Sequence, residues 1–278
     1  IFSVGTVSAQ VKLSNGSSSS TIDFSNSMAV SVGTNPSTAF SGVGFSPDPV
    51  IAGRLNSNAW AVTGWSDGAL AFGGTNTAGD YARGSVSTAQ TTGGFYAFTG
   101  TPQSVANPCL MIQPGSSDWA PGTLTLRIEN TGTTNITQLT VSYNIYVRND
   151  QGRANSFNFS HSADNVTYTA VPALDYTSIQ VADALGWVLV GSAPSRSTTI
   201  TGLSIAPGSF YYIRWNGADA GGSGSRDEFG LDDINVAATF ACSINSAGLS
   251  NVHCEDNNET PNNPNDDYIW FQLNPSGT

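Results

Sequence analysis

Four acidic side chains lie close together in the segment 226–233 and have the chemistry of a metal site. They are Asp227, Glu228, Asp232 and Asp233. Carboxylate oxygens are the hard ligands that Ca²⁺ prefers, so this segment predicts a structural calcium site. Because successive residues of a strand point to opposite faces, only one of Asp232 and Asp233 could bind a given ion. The alternative is that Arg226 and Arg214 neutralise these carboxylates and no metal is bound.

A second set of residues has the chemistry of a sugar-binding platform. Planar rings stack on the apolar faces of pyranoses, and polar groups beside them hydrogen-bond the hydroxyls. The candidate ligand-binding residues are Trp60, Trp65, Trp119, Tyr211 and Trp215, with Asp67, Asp80, Arg83 and Asn216 as polar partners. In the run 210–215, one alternate set of residues must face the core of a sandwich and the other must face outward. Some of these aromatic rings are therefore expected to be buried.

Motifs for catalysis are weak. The run 221–226 has serine at position 225, where a nucleophile elbow needs its second glycine. His161 has no recognisable nucleophile beside it, and Glu129 and Glu228 lack the strand pattern of the sandwich glycosidases. We therefore expect no enzymatic activity, with a sandwich-fold glycoside hydrolase or lyase as an alternative.

The composition excludes two classes of partner. The chain has 278 residues, with 9 Lys and Arg against 20 Asp and Glu, and its net charge is −11. Nucleic acids and anionic membranes recruit basic surfaces, so neither is expected to bind. No apolar run approaches the roughly 20 residues of a membrane span, so no membrane insertion is expected. Only 10% of the residues are charged and most polar residues are Ser, Thr and Asn, which favours an extracellular or cell-surface protein.

The three cysteines fit an oxidising compartment. Cys242 and Cys254 are close enough in sequence to form a disulfide that closes a short loop, which leaves Cys109 unpaired and buried. Zinc is disfavoured because His253 adds only one further ligand beside Cys254.

Alternating apolar residues predict an all-β fold. In the run 139–148, Val141, Tyr143, Ile145 and Val147 share one face, and clusters of Gly, Asn, Asp and Pro separate this run from similar ones. We expect a jelly-roll-like antiparallel β-sandwich over 21–239. Residues 1–20 are either a signal remnant or an N-terminal strand. Residues 240–278 are expected to form an acidic linker and a single strand, 268–273, of a partial second β-domain.

The region from about Thr21 to Thr239 resembles a module found near the N-termini of large exported proteins of the Bacteroidetes type. The matching segments are 53–60, 65–74, 143–154, 157–168 and 225–234. The resemblance implies a jelly-roll or concanavalin-like sandwich, followed by immunoglobulin-like repeats and a C-terminal sorting signal. The acidic tail resembles the first strand of such a repeat. The resemblance supplies no catalytic residues.

These observations favour a non-catalytic surface module for adhesion or self-assembly, whose partners are other copies of itself. An unpaired strand at 268–273, or the segment 2–13, could complete the sheet of a neighbouring copy and build a fibre. The alternative is a carbohydrate-binding module that targets a larger secreted enzyme to surface polysaccharide.

Overall fold

The structure is a computed structural model that describes residues 11–25, 38–48, 51–241, 249–255 and 268–273. Short 3₁₀ helices span Gly79–Tyr81 and Pro172–Leu174. The strands are β1 (Val11–Leu13), β2 (Ser19–Ile22), β3 (Phe45–Ser46), β4 (Leu55–Asn56), β5 (Trp60–Thr63), β6 (Ser85–Val86), β7 (Gly94–Phe98), β8 (Cys109–Gln113), β9 (Gly122–Asn130), β10 (Ile136–Arg148), β11 (Arg153–Ser162), β12 (Thr169–Ala170), β13 (Tyr176–Thr177), β14 (Val188–Leu189), β15 (Arg196–Ile200), β16 (Phe210–Gly222), β17 (Glu228–Phe240), β18 (Leu249–Glu255) and β19 (Tyr268–Leu273).

Two sheets pack face to face. Sheet A has seven strands, with β1, β9, β16, β11 and β12 in order, β5 beside β9 and β13 beside β11. Sheet B has eight strands, with β14, β10, β17, β8, β7 and β6 in order, β15 beside β10 and β2 beside β17. The long strands alternate between the sheets, since β9, β11 and β16 belong to sheet A while β10 and β17 belong to sheet B. This is the jelly-roll sandwich that the alternating pattern predicts.

The core lies between the inner faces of the two sheets, and strand alternation explains it. In β9, Leu124, Leu126 and Ile128 are at most 1% exposed, whereas Thr123 and Arg127 point outward and are half-buried. An apolar residue at every second position gives each strand one face to bury, and two such faces exclude water together.

The sheets are not purely antiparallel. The long pairs, β10 with β17 and β11 with β16, are antiparallel. The short strand β1 instead runs parallel to β9, and β6 runs parallel to β7. These parallel pairs involve short strands.

The C-terminal strand is paired, whereas the sequence analysis expected a single strand. Strand β19 pairs antiparallel with β18, from Leu249 opposite Leu273 to Glu255 opposite Tyr268. In the described residues β18 and β19 form a two-stranded sheet, so the pairing satisfies one edge of β19 and no strand lies beside its second edge there. Residues 1–10 and most of the acidic linker, 256–267, lie outside the described residues.

Cys254 in β18 is disulfide-bonded, and Cys109 in β8 is a free, buried thiol. Cys242 lies outside the described residues. In the ranges that the structure covers, no helix is long and apolar enough to cross a membrane.

Candidate functional site

The four tryptophans of the predicted sugar platform lie in the core. Trp60, Trp119 and Trp215 are 0% exposed and Trp65 is 5% exposed. Their rings pack against one another, with centroid distances of 6.3 Å between Trp60 and Trp215 and 5.4 Å between Trp65 and Trp119. A ring without exposed surface cannot stack on a sugar, so their assignment as ligand-binding residues is wrong.

Their predicted polar partners form a closed structural network. Asp80 is 2% exposed, and its carboxylate accepts hydrogen bonds from Ser66 Oγ at 2.9 Å and from the Asp67 amide at 3.1 Å. Asp67 accepts in return from the Asp80 amide at 2.7 Å. Arg83 donates to Asp80 at 2.7 Å and to the Gly93 carbonyl at 2.8 Å. These groups hold the loops together and Asp80 is closed to a ligand, so this part of the predicted site is not supported.

The four carboxylates of the predicted calcium site do not converge. Asp227, Glu228 and Asp232 are buried, while Asp233 lies exposed at a β-bulge of β17 with φ of 49°. Because a strand rises about 3.3 Å per residue, Glu228 and Asp232 are separated by about 13 Å. Ca²⁺ ligands must all lie within about 2.6 Å of the ion. Among the described residues, no three acidic, histidine or cysteine side chains meet as a metal site.

Burial raises the pKa of three of these four carboxyl groups. Burial raises the pKa of Glu228 to about 8 and the pKa of Asp227 to about 6. Burial, with the nearby charge of Asp233, raises the pKa of Asp232 to about 8. Glu228 also accepts a hydrogen bond from the Gln90 amide at 2.8 Å, while its second oxygen is buried without a partner. A neutral carboxylic acid is far less costly to bury than a carboxylate, so proton uptake lowers the cost of burying Glu228 and Asp232.

His161, considered as a catalytic base, faces the interior. Its Nδ1 lies 2.6 Å from the hydroxyl of Tyr211, which is 3% exposed. Burial lowers the pKa of His161 and raises the pKa of Tyr211 to about 12. The pair is a hydrogen bond between strands β11 and β16 that engages Nδ1 of the half-buried His161.

The polar and aromatic groups that do reach solvent form what we call the sheet A outer face. It comprises the side chains of β5, β9, β11 and β16 that point away from sheet B, with three residues from adjacent loops, Phe72, Asn165 and Tyr168. The strand register aligns its side chains in rows across the sheet. One row places Arg214 opposite Thr125 of β9, and a second places Asn216 opposite Thr123.

Aromatic rings and Arg127 form one end of this face. The Arg127 guanidinium carbon lies 4.3 Å from the Phe210 ring centroid and 4.8 Å from that of Phe72. The Phe72 ring in turn lies 5.8 Å from Tyr212, which is the cross-strand neighbour of Arg127. All four side chains are half-buried, so each has both packing support and exposed surface.

Arg214 forms the middle of the face. Its guanidinium carbon lies 3.5 Å from the Tyr168 ring centroid, and its Nε donates to Thr125 Oγ1 at 2.8 Å. The Tyr168 hydroxyl donates to Asn165 Oδ1 at 2.6 Å, which keeps the ring beside Arg214. A shallow depression of about 240 Å³ opens here, lined on one side by Phe72 and on the other by Asn165.

Amide and hydroxyl groups cover the rest of the face. Asn216 donates to Ser160 Oγ at 2.9 Å, and Asn158 lies opposite Asn216 on β11. Thr63 and Thr123 share a hydrogen bond of 2.7 Å between their hydroxyls. Small polar groups beside half-exposed rings can contact a sugar, because sugars present both hydroxyls and apolar ring faces.

Of this set the sequence analysis selected Asn216 as a polar partner, and part of the signal for the others was available. In the run 210–215, Trp215 and Tyr211 share one parity, and Tyr212 and Arg214 the other. An arginine and a following asparagine, Asn216, mark the second set as the outward one. The loop residues Phe72 and Tyr168 carried no such signal, because their places depend on the packing of loops against the sheet.

Comparison with known proteins shows similarity at the level of fold. No family model and no curated protein matches the chain. It is similar to a carbohydrate-binding module specific for non-crystalline cellulose, with a TM-score of 0.32 and 12% identity over 51% of this chain and 78% of that one. A xylan-binding domain from Paenibacillus barcinonensis gives a TM-score of 0.31 and 13% identity over 55% and 86%.

An adhesin domain of Lys-gingipain from Porphyromonas gingivalis gives a TM-score of 0.27 and 11% identity over 50% of this chain and 78% of that one. At these scores the likeness carries no argument about ligands or activity. The neighbours of this chain among solved structures are jelly-roll carbohydrate-binding modules and similar β-sandwich domains.

Proposed function

We propose that this chain is a non-catalytic carbohydrate-binding module that acts outside the cell or at its surface, and that polysaccharide lies on the sheet A outer face. The observation that carries the proposal is the row of half-exposed Phe72, Tyr212 and Tyr168 beside two arginines. Rings held by packing lose little entropy on binding, and rigid aromatic anchors are efficient contacts for a ligand.

The shape of the face supports a chain-like ligand. Successive rows on a strand are about 7 Å apart, so the rows that contain Phe210, Tyr212, Arg214 and Asn216 extend for about 20 Å. Adjacent strands are about 4.8 Å apart, so four strands give a surface about 14 Å wide. An extended oligosaccharide fits such a surface better than a compact metabolite, which needs an enclosed pocket.

The groups that could perform chemistry support a non-catalytic role. The Glu228 carboxyl group belongs to the opposite sheet and is 0% exposed, and His161 is held by Tyr211 on the inner side of sheet A. Glycoside hydrolysis needs two carboxyl groups about 5 to 10 Å apart on either side of the bond, and the outward positions of β9, β11 and β16 contribute Glu129 alone.

The test is isothermal titration calorimetry against a panel of soluble plant, algal and bacterial polysaccharides, followed by the variants Tyr212→Ala and Phe72→Ala. We expect saturable binding that either substitution weakens at least tenfold, which is about 1.4 kcal/mol. Trp270→Ala in β19 is the matched control, because it removes a ring that is 55% exposed but is not part of the sheet A outer face. Binding unchanged by both test substitutions would contradict the proposed site.

Adhesion or self-assembly is the second candidate, and the hairpin β18–β19 favours it. Tyr268, Ile269, Trp270 and Phe271 are 42 to 55% exposed. Because consecutive residues of a strand alternate in direction, both faces of this hairpin present apolar side chains. Light scattering should then detect oligomers that Trp270→Ala dissolves and Tyr212→Ala leaves intact. A monomer at all concentrations would exclude this candidate.

A further inference from the structure

Two arginines on the sheet A outer face form no ion pair with any described residue, unlike several other arginines of this acidic chain. With 9 basic against 20 acidic residues, most cations have carboxylates available. The ion pairs among the described residues involve Arg83, Arg148, Arg153 and Arg226. Arg54, Arg127, Arg196 and Arg214 belong to none of them, and of these four Arg127 and Arg214 lie on the sheet A outer face. Placing unpaired cations on one surface of a chain with a net charge of −11 leaves a local site for an anion.

Arg127 keeps donors that no residue uses. Its guanidinium is held between Phe72 and Phe210, and its buried Nε has no hydrogen-bond partner in the described part of the chain. Burial lowers the pKa of Arg127, while Tyr212 and then Glu129 raise it. Glu129 is the outward acidic residue two positions further along β9 from Arg127, and it offsets part of the Arg127 charge at a distance.

Arg214 is held by neutral groups alone. Its hydrogen bonds run to Thr125 at 2.8 Å and to Asn165 at 3.4 Å, and its planar group stacks on Tyr168. Burial lowers the pKa of Arg214. The electrostatic effect that raises this pKa comes from Tyr168 and not from a carboxylate. A guanidinium has five donors in a planar fork, so these contacts orient Arg214 and leave part of the fork for a ligand.

The two guanidinium groups lie within reach of one ligand. Arg127 stands opposite Tyr212, and Arg214 is two residues further along the same strand as Tyr212. Diagonal neighbours of this kind are about 7 to 8 Å apart across an antiparallel sheet. A repeating polymer with one anionic group per one or two sugars could therefore engage both arginines while its rings rest on Phe72 and Tyr212.

Resting on the proposed carbohydrate-binding function, we infer that the ligand is an anionic polysaccharide, whose carboxylate or sulfate groups pair with Arg127 and Arg214. Carboxylate and sulfate are planar or trigonal arrays of oxygens that accept two parallel hydrogen bonds from one guanidinium. A neutral glycan would form no ion pair with either guanidinium, so it would gain little from two cations on one face of an acidic protein.

The experiment compares polygalacturonate with its carboxyl-reduced, neutral product, and chondroitin sulfate with its desulfated form, by calorimetry on the full chain. We expect one anionic polymer of these pairs to bind at least tenfold more tightly than its neutral counterpart, and the pair that responds distinguishes carboxylate from sulfate. The variants Arg127→Gln and Arg214→Gln should remove that preference. Arg148→Gln, which removes a cation paired with Asp150 at 2.7 Å, is the matched control and should keep it.

Each result decides a separate question. Equal binding of an anionic polymer and its neutral counterpart, or tight binding to neutral polysaccharide only, would overturn the anionic preference and leave carbohydrate binding in place. Binding to no glycan at all would overturn the proposed function as well. If a glutamine variant fails to fold by circular dichroism, the polymer comparison on the unaltered chain still decides the inference.

Discussion

Substituting neighbouring residues of β16 should separate stability from binding. Trp215 is 0% exposed, and its ring centroid lies 5.4 Å from Tyr143, 5.9 Å from Phe159 and 6.3 Å from Trp60. Trp215→Ala leaves a cavity in a packed aromatic cluster and should cost about 3 to 5 kcal/mol of the free energy of unfolding. In a domain of this size, that corresponds to a melting temperature about 10 °C lower.

Tyr212→Ala removes a ring of the opposite parity, three residues away. Its ring contacts Phe72 at 5.8 Å and is half-buried, so the substitution should cost about 1 kcal/mol of stability or less. It should instead weaken polysaccharide binding at least tenfold, because it removes a ring from the outward row.

Differential scanning calorimetry and binding calorimetry on both variants check this contrast. Trp215→Ala should bind polysaccharide with nearly unchanged affinity well below its melting temperature. The reasoning would be refuted if Trp215→Ala abolished binding while its melting temperature stayed unchanged, since that result would place the indole at the ligand and not in the core.

Three further predictions concern groups outside the sheet A outer face. Burial raises the pKa of Glu228 to about 8 from an ordinary 4.5, so the folded chain retains a proton that the unfolded chain releases. The free energy of unfolding should therefore fall between about pH 4.5 and pH 8. Urea titrations should show a shallower fall for Glu228→Gln. An equal slope in both proteins would contradict this. Cys109 is 0% exposed and burial raises its pKa, so iodoacetamide should modify it only after denaturant is added; rapid modification of the folded chain would refute its burial. In Gly217→Ala the new methyl carbon would meet Trp119 Nε1 at 1.6 Å, so we expect a loss of about 1 to 3 kcal/mol, against little change for Gly186→Ala, which has open space; comparable stability of the two variants in urea would show that the strand can shift.

The fold was predictable because apolar residues alternate over long runs. Val141, Tyr143, Ile145 and Val147 were assigned to one face, and all four are at most 3% exposed. A ten-residue alternation has only one register that buries its apolar side, so the sequence determines the strand and its inner face together. By contrast, the run 179–185 has no such alternation, and it forms neither a strand nor a helix.

The candidate site was less predictable, because residue type does not tell which side of a sheet a ring faces. Trp60, Trp119 and Trp215 have the chemistry of a sugar platform, and the same large apolar area makes them the best fillers of a sandwich core. Arg214 was considered only as a counter-ion for the acidic segment near residue 230. Its actual contact with Tyr168 depends on where the loop before β12 folds back over sheet A, and this long-range contact has no local signature.

The division of each sheet A strand into inward and outward residues has a consequence for how such a module changes over time. Because Ile213 and Trp215 fix the scaffold while Tyr212, Arg214 and Asn216 meet solvent, ligand preference and structural integrity are encoded by interleaved but separate positions. Under the proposed function, substitutions at the outward positions would change the polymer that is bound at a cost of about 1 kcal/mol of stability or less. One backbone framework can thus support several ligand specificities, through substitutions at the outward positions of the same strands.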